Sequence, residues 1–296
     1  MEIKDTHISQ VMNGHRKLTD ENNIIATGMA ELDKQIEGFG MGELITLLGY
    51  PGDDKMHVAI RIMNYQAIDN GVPSAYFCTR ETPEIIARRL LCYRCSTLPN
   101  RMLEYEINGE PYEWKYWVDE NKQKIESSPI YLYPNEHLSI DDICEQCCSY
   151  AKSGVKVIYI YFDNEAIKND AVCKLKALVC RLYIAIVLMI DVLGTRYGID
   201  DQQPCLQDLS WCQLDEYSDM VIGFLNCDSF GYVTEEGIDI KGKMRIKVVK
   251  DRHNKQNAHF YLNYLGFIMK QFAEPSTSTT FENQRLLTED PYNPFE

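Results

Sequence analysis

The chain has 296 residues, 45% hydrophobic and 25% charged, a balance that suits a globular protein long enough to bury a large core. Its formal net charge of −14 argues against a protein that grips nucleic acid by phosphate neutralisation alone, although a local basic stripe stays compatible with it. No apolar run approaches the roughly 20 residues of a membrane span, and the first ten residues carry neither a secretory nor a transit pattern, so the expected location is the cytoplasm.

Residues 1–26 are polar and irregular and read as an arm with at most a short helix. From Thr27 the pattern becomes regular. Residues 43–48 (ELITLL) form a short apolar run of the kind that makes a buried strand. The octet that follows, residues 49–56, reads GYPGDDKM. A loop of the form G-x-x-x-x-G-K-[ST] cradles phosphates with backbone N–H groups, reaches the outer ones with Lys and offers a hydroxyl to Mg²⁺. Gly49 and Lys55 keep that separation, but Asp54 stands at the second glycine and Met56 at the hydroxyl. Residues 55–70 then carry Val58, Ile62 and Tyr65 near helical spacing and stop at Gly71, a suitable C-terminal cap. Strand, turn and helix is the setting a phosphate loop needs, because the helix N-terminus adds partial positive charge.

Further along, residues 83–95 read as a helix with Ile85, Ile86, Leu90 and Leu91 on its apolar side. Residues 110–127 form another, with Tyr112, Trp114 and Trp117 among charges, and 130–133 a short strand. Ser139 and Asp142 make a capping box for a helix that Gly154 ends. Residues 155–162 and 184–190 are nearly continuous apolar strands with a helix over 170–182 between them. Such strands alternating with helices indicate an α/β fold with a parallel sheet covered on both faces. Strands near 220–226, 243–250 and 258–262, joined by short connections, add antiparallel pairing at one side. From residue 273 to 296 Ser, Thr, Pro and acidic residues dominate, and the segment reads as a disordered acidic tail. The 11 cysteines include two C-x-x-C pairs, Cys92 with Cys95 and Cys144 with Cys147. Both pairs fall inside helices far apart in sequence, so reduced thiols are expected and zinc is not.

The order of these elements resembles the C-terminal motor domain of DnaB-type replicative DNA helicases, a RecA-like P-loop fold. The resemblance begins at Thr27-Gly28-Met29, continues through Leu32-Asp33, Gly38 and Gly42, and leads straight into the altered phosphate loop. One glycine of the family's pair is replaced by Glu37. The likeness spans roughly residues 26–271, with nothing resembling the family's N-terminal primase-docking domain. It implies ATP and Mg²⁺ as cofactors, with Gly49, Gly52, Asp54, Lys55 and Met56 as the nucleotide-contacting positions. It also implies a homo-oligomeric ring, or assembly with related helicase subunits, and single-stranded DNA as a further, weaker partner. No membrane is implied.

Carried over residue by residue, Glu81 matches the glutamate that positions the attacking water. In the strand VIYIYFD (157–163) a gapless match puts Tyr161 at the magnesium-side aspartate, and a two-residue slip puts Asp163 there. Residues two apart share a strand face, so Asp163 is the favoured metal-side remnant. Asp191 stands where the family has a glutamine that senses the outer phosphate. Lys250, Arg252 and Asn254 resemble the family's K-x-R-N segment, whose Lys and Arg act in a neighbouring subunit's nucleotide site. Lys241, Lys243, Arg245 and Lys247 alternate with Gly242, Met244 and Ile246, so one strand face reads as cationic.

A carboxylate about 4 Å from a phosphate charge costs about 4 kcal/mol at an effective dielectric near 20, or roughly a thousandfold in affinity. Asp53 and Asp54 are expected to place two such charges at the loop. Met56 removes a metal ligand. The expectation is therefore a DnaB-like domain with weak or absent ATP hydrolysis. A competent DNA-translocating motor and a non-catalytic RecA-fold interaction module stay open beside it.

Overall fold

The computed structural model describes residues 23–53, 55–97, 99–108, 112–134, 139–162, 169–194, 202–235, 237–252 and 259–263. Asp54, Asp163, Asn254 and the tail expected from residue 273 lie outside them.

In chain order the elements are β1 (Ile24–Ile25), α1 (Ala30–Ile36), β2 (Phe39–Gly40), β3 (Leu44–Gly49), α2 (Lys55–Met63) and β4 (Ser74–Cys78). There follow α3 (Pro83–Arg94), α4 (Pro99–Asn108), α5 (Tyr112–Glu126), β5 (Ile130–Pro134), α6 (Ile140–Lys152), β6 (Val157–Tyr161) and α7 (Asn169–Leu182). The chain continues with β7 (Ala185–Asp191), α8 (Leu214–Tyr217), β8 (Met220–Asn226), β9 (Thr234–Glu235), β10 (Ile238–Asp239), β11 (Lys243–Lys250) and β12 (His259–Asn263). Eight strands form one sheet in the order β12-β11-β8-β3-β7-β6-β4-β5. From β8 to β5 every pairing is parallel, and β11 and β12 add the antiparallel edge.

The unbroken apolar runs in the sequence have a simple cause: both faces of the sheet are covered. In β3, Ile45 and Leu47 pack on one face with Val58 and Ile62 of α2 and Ile86 and Leu90 of α3. Leu44 and Leu48 pack on the other with Ile143 of α6 and Val172, Leu175 and Val179 of α7. The same alternation holds in β7, where Val187 and Met189 face one way and Leu188 and Ile190 the other. Each of these aliphatic side chains contributes about 1.5–3 kcal/mol by its burial, which is why the period-2 pattern fixes the register.

Local chemistry explains the element ends. Ser139 accepts from the Asp142 N–H while the Asp142 carboxylate accepts from the Ser139 N–H, the expected capping box. The segment from Thr27 is held by Asp33, which accepts from the Thr27 N–H, the Thr27 hydroxyl and the Gly28 N–H at 2.9, 2.7 and 3.0 Å. Gly28 has φ +74° and any Cβ there would strike the Tyr65 ring, so glycine is required. Tyr65 belongs to a π-helical stretch, Asn64–Asp69, that extends α2. From it Gln66 donates to the Ala26 carbonyl and accepts from the Tyr159 hydroxyl, joining the start of the domain to the sheet.

Three expectations change. Ile24 and Ile25, placed in the arm, pair antiparallel with Gly40 and Phe39 and are part of the fold. Ile85, placed on an apolar face, is 43% exposed, because α3 turns Ile86, Leu90 and Cys92 inward instead. Arg245 is no surface cation: it is buried, donates to Gln203 and Glu235, and lies 5.6 Å from the centroid of the Tyr232 ring. On the same strand Lys247 is exposed and Lys243 half-buried. The cysteines Cys92 and Cys95 sit in a small apolar cluster with Met102 and Val118, and Cys147 is buried on the inner side of α6.

Candidate functional site

The register of the sheet builds the site. Gly49, the last residue of β3, pairs with Asp191, the last residue of β7, and the phosphate-like loop leaves β3 at that point. Asp191 continues the Val187–Met189 face, and Tyr161 continues the Val157–Tyr159 face of the neighbouring strand. Both therefore point to the side of the sheet where α2 begins with Lys55.

Lys55 is only 2% exposed, and its ammonium is turned back onto its own chain. It donates to the carbonyls of Gly49 and Tyr50 at 3.2 and 3.1 Å and forms an ion pair with Asp191. Asp191 also accepts from the Tyr161 hydroxyl at 2.7 Å and pairs with Arg80 at 3.1 Å. Arg80 lies over the Tyr161 ring, 4.3 Å from its centroid, and Lys55 lies 5.5 Å from the same centroid. Thr79 donates to the Tyr161 carbonyl and ties the end of β4 to β6. Burial opposes the charge on Asp191, but Lys55, Tyr161 and Arg80 outweigh it and hold the carboxyl below the usual aspartate range. Burial also pulls the Lys55 ammonium below its usual range, with Asp191 opposing.

Asp53 corrects one expectation. It does not offer its charge to a phosphate. Its carboxylate is buried and accepts from the Tyr50 N–H at 3.0 Å and the Asn226 N–H at 3.2 Å, pinning the loop to the end of β8. The Asp53 N–H in turn donates to the Tyr50 carbonyl. Two backbone donors near the start of the loop are thus used internally. Gly52 takes φ +89°, which the turn needs. Met56 is partly buried and packs against the apolar core, where it presents a thioether in place of a hydroxyl.

Glu81 follows β4 at the same end of the sheet. It makes a two-pronged pair with Arg89 of α3, and Arg89 reaches on to His57 Nε2 at 2.6 Å. Since Arg cannot accept, that His57 nitrogen is the acceptor. Lys250 and Arg252 are elsewhere. Lys250 donates to the carbonyls of Asp215 and Glu216 at the end of α8, and burial pulls its ammonium below the usual range. Arg252 grips Glu43 with two nitrogens at 2.7 and 2.8 Å and donates to the carbonyls of Ile36 and Gly38. Glu43 precedes β3, so Arg252 sits at the opposite end of the sheet from Lys55, about 20 Å away at 3.3 Å per residue.

The structure therefore brings together Gly49, Gly52, Lys55 and Met56 at one rim, with Glu81 nearby, and places Lys250 and Arg252 at the other. The inward turn of Asp53 and the parts played by Arg80, Arg89 and His57 have no motif to announce them. The Tyr161–Asp191 bond was accessible in principle from strand parity, since both end apolar strands on the same face.

Among solved structures, one titled as the ATPase domain of G40P matches with a TM-score of 0.73 at 14% identity, covering 87% of this chain and 92% of that one. Another, titled as a DnaB-like replicative helicase and its interactions with primase, matches with a TM-score of 0.72 at 16% identity, covering 90% of this chain and 66% of that one. No curated protein sequence matches the chain. At these identities the structural matches speak for the fold, which is RecA-like: a mostly parallel central sheet flanked by helices, with added antiparallel strands. The sequence profile of the DnaB-like helicase C-terminal domain matches residues 24–272, most of the chain, and the protein belongs to that family.

Proposed function

We infer that this chain is a DnaB-like helicase domain whose ATP hydrolysis is weakened or lost, acting in DNA replication or on a mobile element alongside related helicase subunits in the cytoplasm. One observation carries the reading: the ammonium that would hold the outer phosphates is buried and already neutralised by Asp191. A phosphate arriving about 4 Å from that carboxylate meets about 4 kcal/mol of repulsion at an effective dielectric near 20, roughly a thousandfold in affinity.

Magnesium triphosphate does not fit the described residues as they stand. Met56 gives the metal no oxygen, and the Tyr161 hydroxyl is committed to Asp191. Glu81, the candidate for positioning a water, is neutralised by Arg89. Hydrolysis needs cradle, metal, base and trans-acting cations together, and three of those four are compromised here.

Lys250 and Arg252 support assembly. Lying at the far end of the sheet from Lys55, they can meet a nucleotide site only in another subunit. Within this chain they are held by carbonyls and Glu43, and reaching a neighbouring subunit would exchange those bonds for contacts there. No helix among the described residues is long and apolar enough to cross a membrane.

The test is phosphate release at millimolar Mg-ATP with and without single-stranded DNA. The expected result is no turnover above that of Lys55→Ala. Magnesium-dependent turnover that DNA stimulates and Lys55→Ala abolishes would establish the competing reading, a working motor.

A further inference from the structure

The candidate site contains an anion of its own. Asp191 is approached by the Lys55 ammonium, the Arg80 guanidinium at 3.1 Å and the Tyr161 hydroxyl at 2.7 Å. Its two oxygens are divided between them: Oδ1 takes Lys55 and Tyr161, and Oδ2 takes Arg80. Two cations and one neutral donor around two oxygens is the environment that binds a phosphoryl group, and the carboxylate fills it with the same charge sign and acceptor geometry. It does so beside Gly49, where the loop begins.

Neither Met56 nor Tyr161 is placed to give oxygen to a divalent cation, and Asp163, the favoured metal-side position, lies outside the described residues. Met56 packs into the core, and the Tyr161 hydroxyl is a donor to Asp191. Among the described residues no group of three or more His, Cys, Asp or Glu side chains could hold a metal ion. Among the described residues the cations are retained and the oxygens for a divalent ion are not. That combination favours a polyphosphate without its metal. Free pyrophosphate or ATP carries more negative charge than its magnesium complex. Magnesium also occupies the phosphate oxygens that Lys55 and Arg80 would bind.

We propose that Lys55, Arg80 and Tyr161 form a magnesium-independent polyphosphate site in which Asp191 is the resident anion, displaced when the ligand enters. This rests on the reading of the loop as an inherited phosphate loop that no longer supports hydrolysis. Arg80, 41% exposed, meets the ligand first. Lys55, buried under Asp191, is released only as the carboxylate swings away. Binding and displacement are one exchange of anions, so removing the resident charge strengthens binding and removing the outer cation weakens it.

Calorimetric titration of pyrophosphate and of ATP, each in EDTA and in excess Mg²⁺, tests this with wild type, Arg80→Gln and Asp191→Asn. The metal-free ligands are expected to bind wild type at least tenfold more tightly than their magnesium complexes. Arg80→Gln is expected to weaken metal-free binding at least tenfold, and Asp191→Asn to tighten it at least tenfold. Asp191→Asn leaves Lys55 without its counter-ion, so where that variant does not fold, Arg80→Gln at a half-exposed position decides alone. Tighter binding with magnesium, equal affinity in wild type and Arg80→Gln, or no metal-free binding at millimolar ligand would overturn the proposal. Phosphate release followed in the same samples separates the two ideas. Turnover sinks the reading of lost hydrolysis, whereas absent binding without turnover sinks only the polyphosphate site.

Discussion

Lys55 and Asp191 show how little a residue's type says about its use. The ammonium expected to face solvent and phosphate is one of the largest buried side chains in the molecule, held by two loop carbonyls and a carboxylate. Breaking such a pair on one side strands a buried charge and costs about 3–5 kcal/mol. Asp191→Asn should therefore lower stability by about that much in denaturant melts, while adding Lys55→Met to it should recover most of the loss, a coupling between the two sites. A pH profile reads the same pair by titration. The Asp191 carboxyl titrates lower in the folded chain than the ordinary aspartate value near 3.9, so its contribution is complete above that pH. It is lost as pH falls through the depressed folded value, and a melt series in acid should show wild type losing stability there while Asp191→Asn changes less. Asp53 teaches the same lesson in reverse. Its neighbours in sequence suggest a charge facing the ligand, yet the N–H groups of Tyr50 and Asn226 draw it inward, and Asn226 is 173 residues away.

At the scale of elements, legibility follows from where the determining contacts lie. The capping box at Ser139 and Asp142 is local, three residues apart, and could be read directly. Its removal by Ser139→Ala should cost about 1 kcal/mol in a thermal or chemical melt, with no change in ligand binding. The strands β8 and β11 were equally legible, β8 as a continuous apolar run buried on both faces and β11 by its alternation of apolar and cationic residues. The alternating cations of β11 were not. Only the tertiary fold brings Glu235 of β9, Gln203 from ahead of α8 and Tyr232 against Arg245, and no spacing within the strand encodes that. Glu37 belongs here too. It replaces a family glycine and still takes the left-handed C-cap of α1 at φ +64°, so the turn survives at a conformational cost of about 1–2 kcal/mol. The helix Pro99–Asn108 was not read from the sequence, although it begins with Pro at a position that suits a helix start.

For the whole molecule, the order of elements gave the architecture before any side chain mattered. Alternating strands and helices dictate a parallel sheet with both faces covered, and the register between β3 and β7 then sets Asp191 against Gly49. The same topology separates Lys55 from Arg252 by the length of a strand. The chain keeps cations at both ends of the sheet, and at each end they are bound by the chain's own carboxylates and carbonyls. The account stands on Lys55 being satisfied from within. Crystals of the wild-type chain grown in millimolar Mg-ATP are the most direct measurement of it. The predicted result is Lys55 bound to Asp191 and the Gly49 and Tyr50 carbonyls with no nucleotide between them. A triphosphate lying in the loop, with its outer phosphate on Lys55 and a magnesium ion beside Met56, would contradict it.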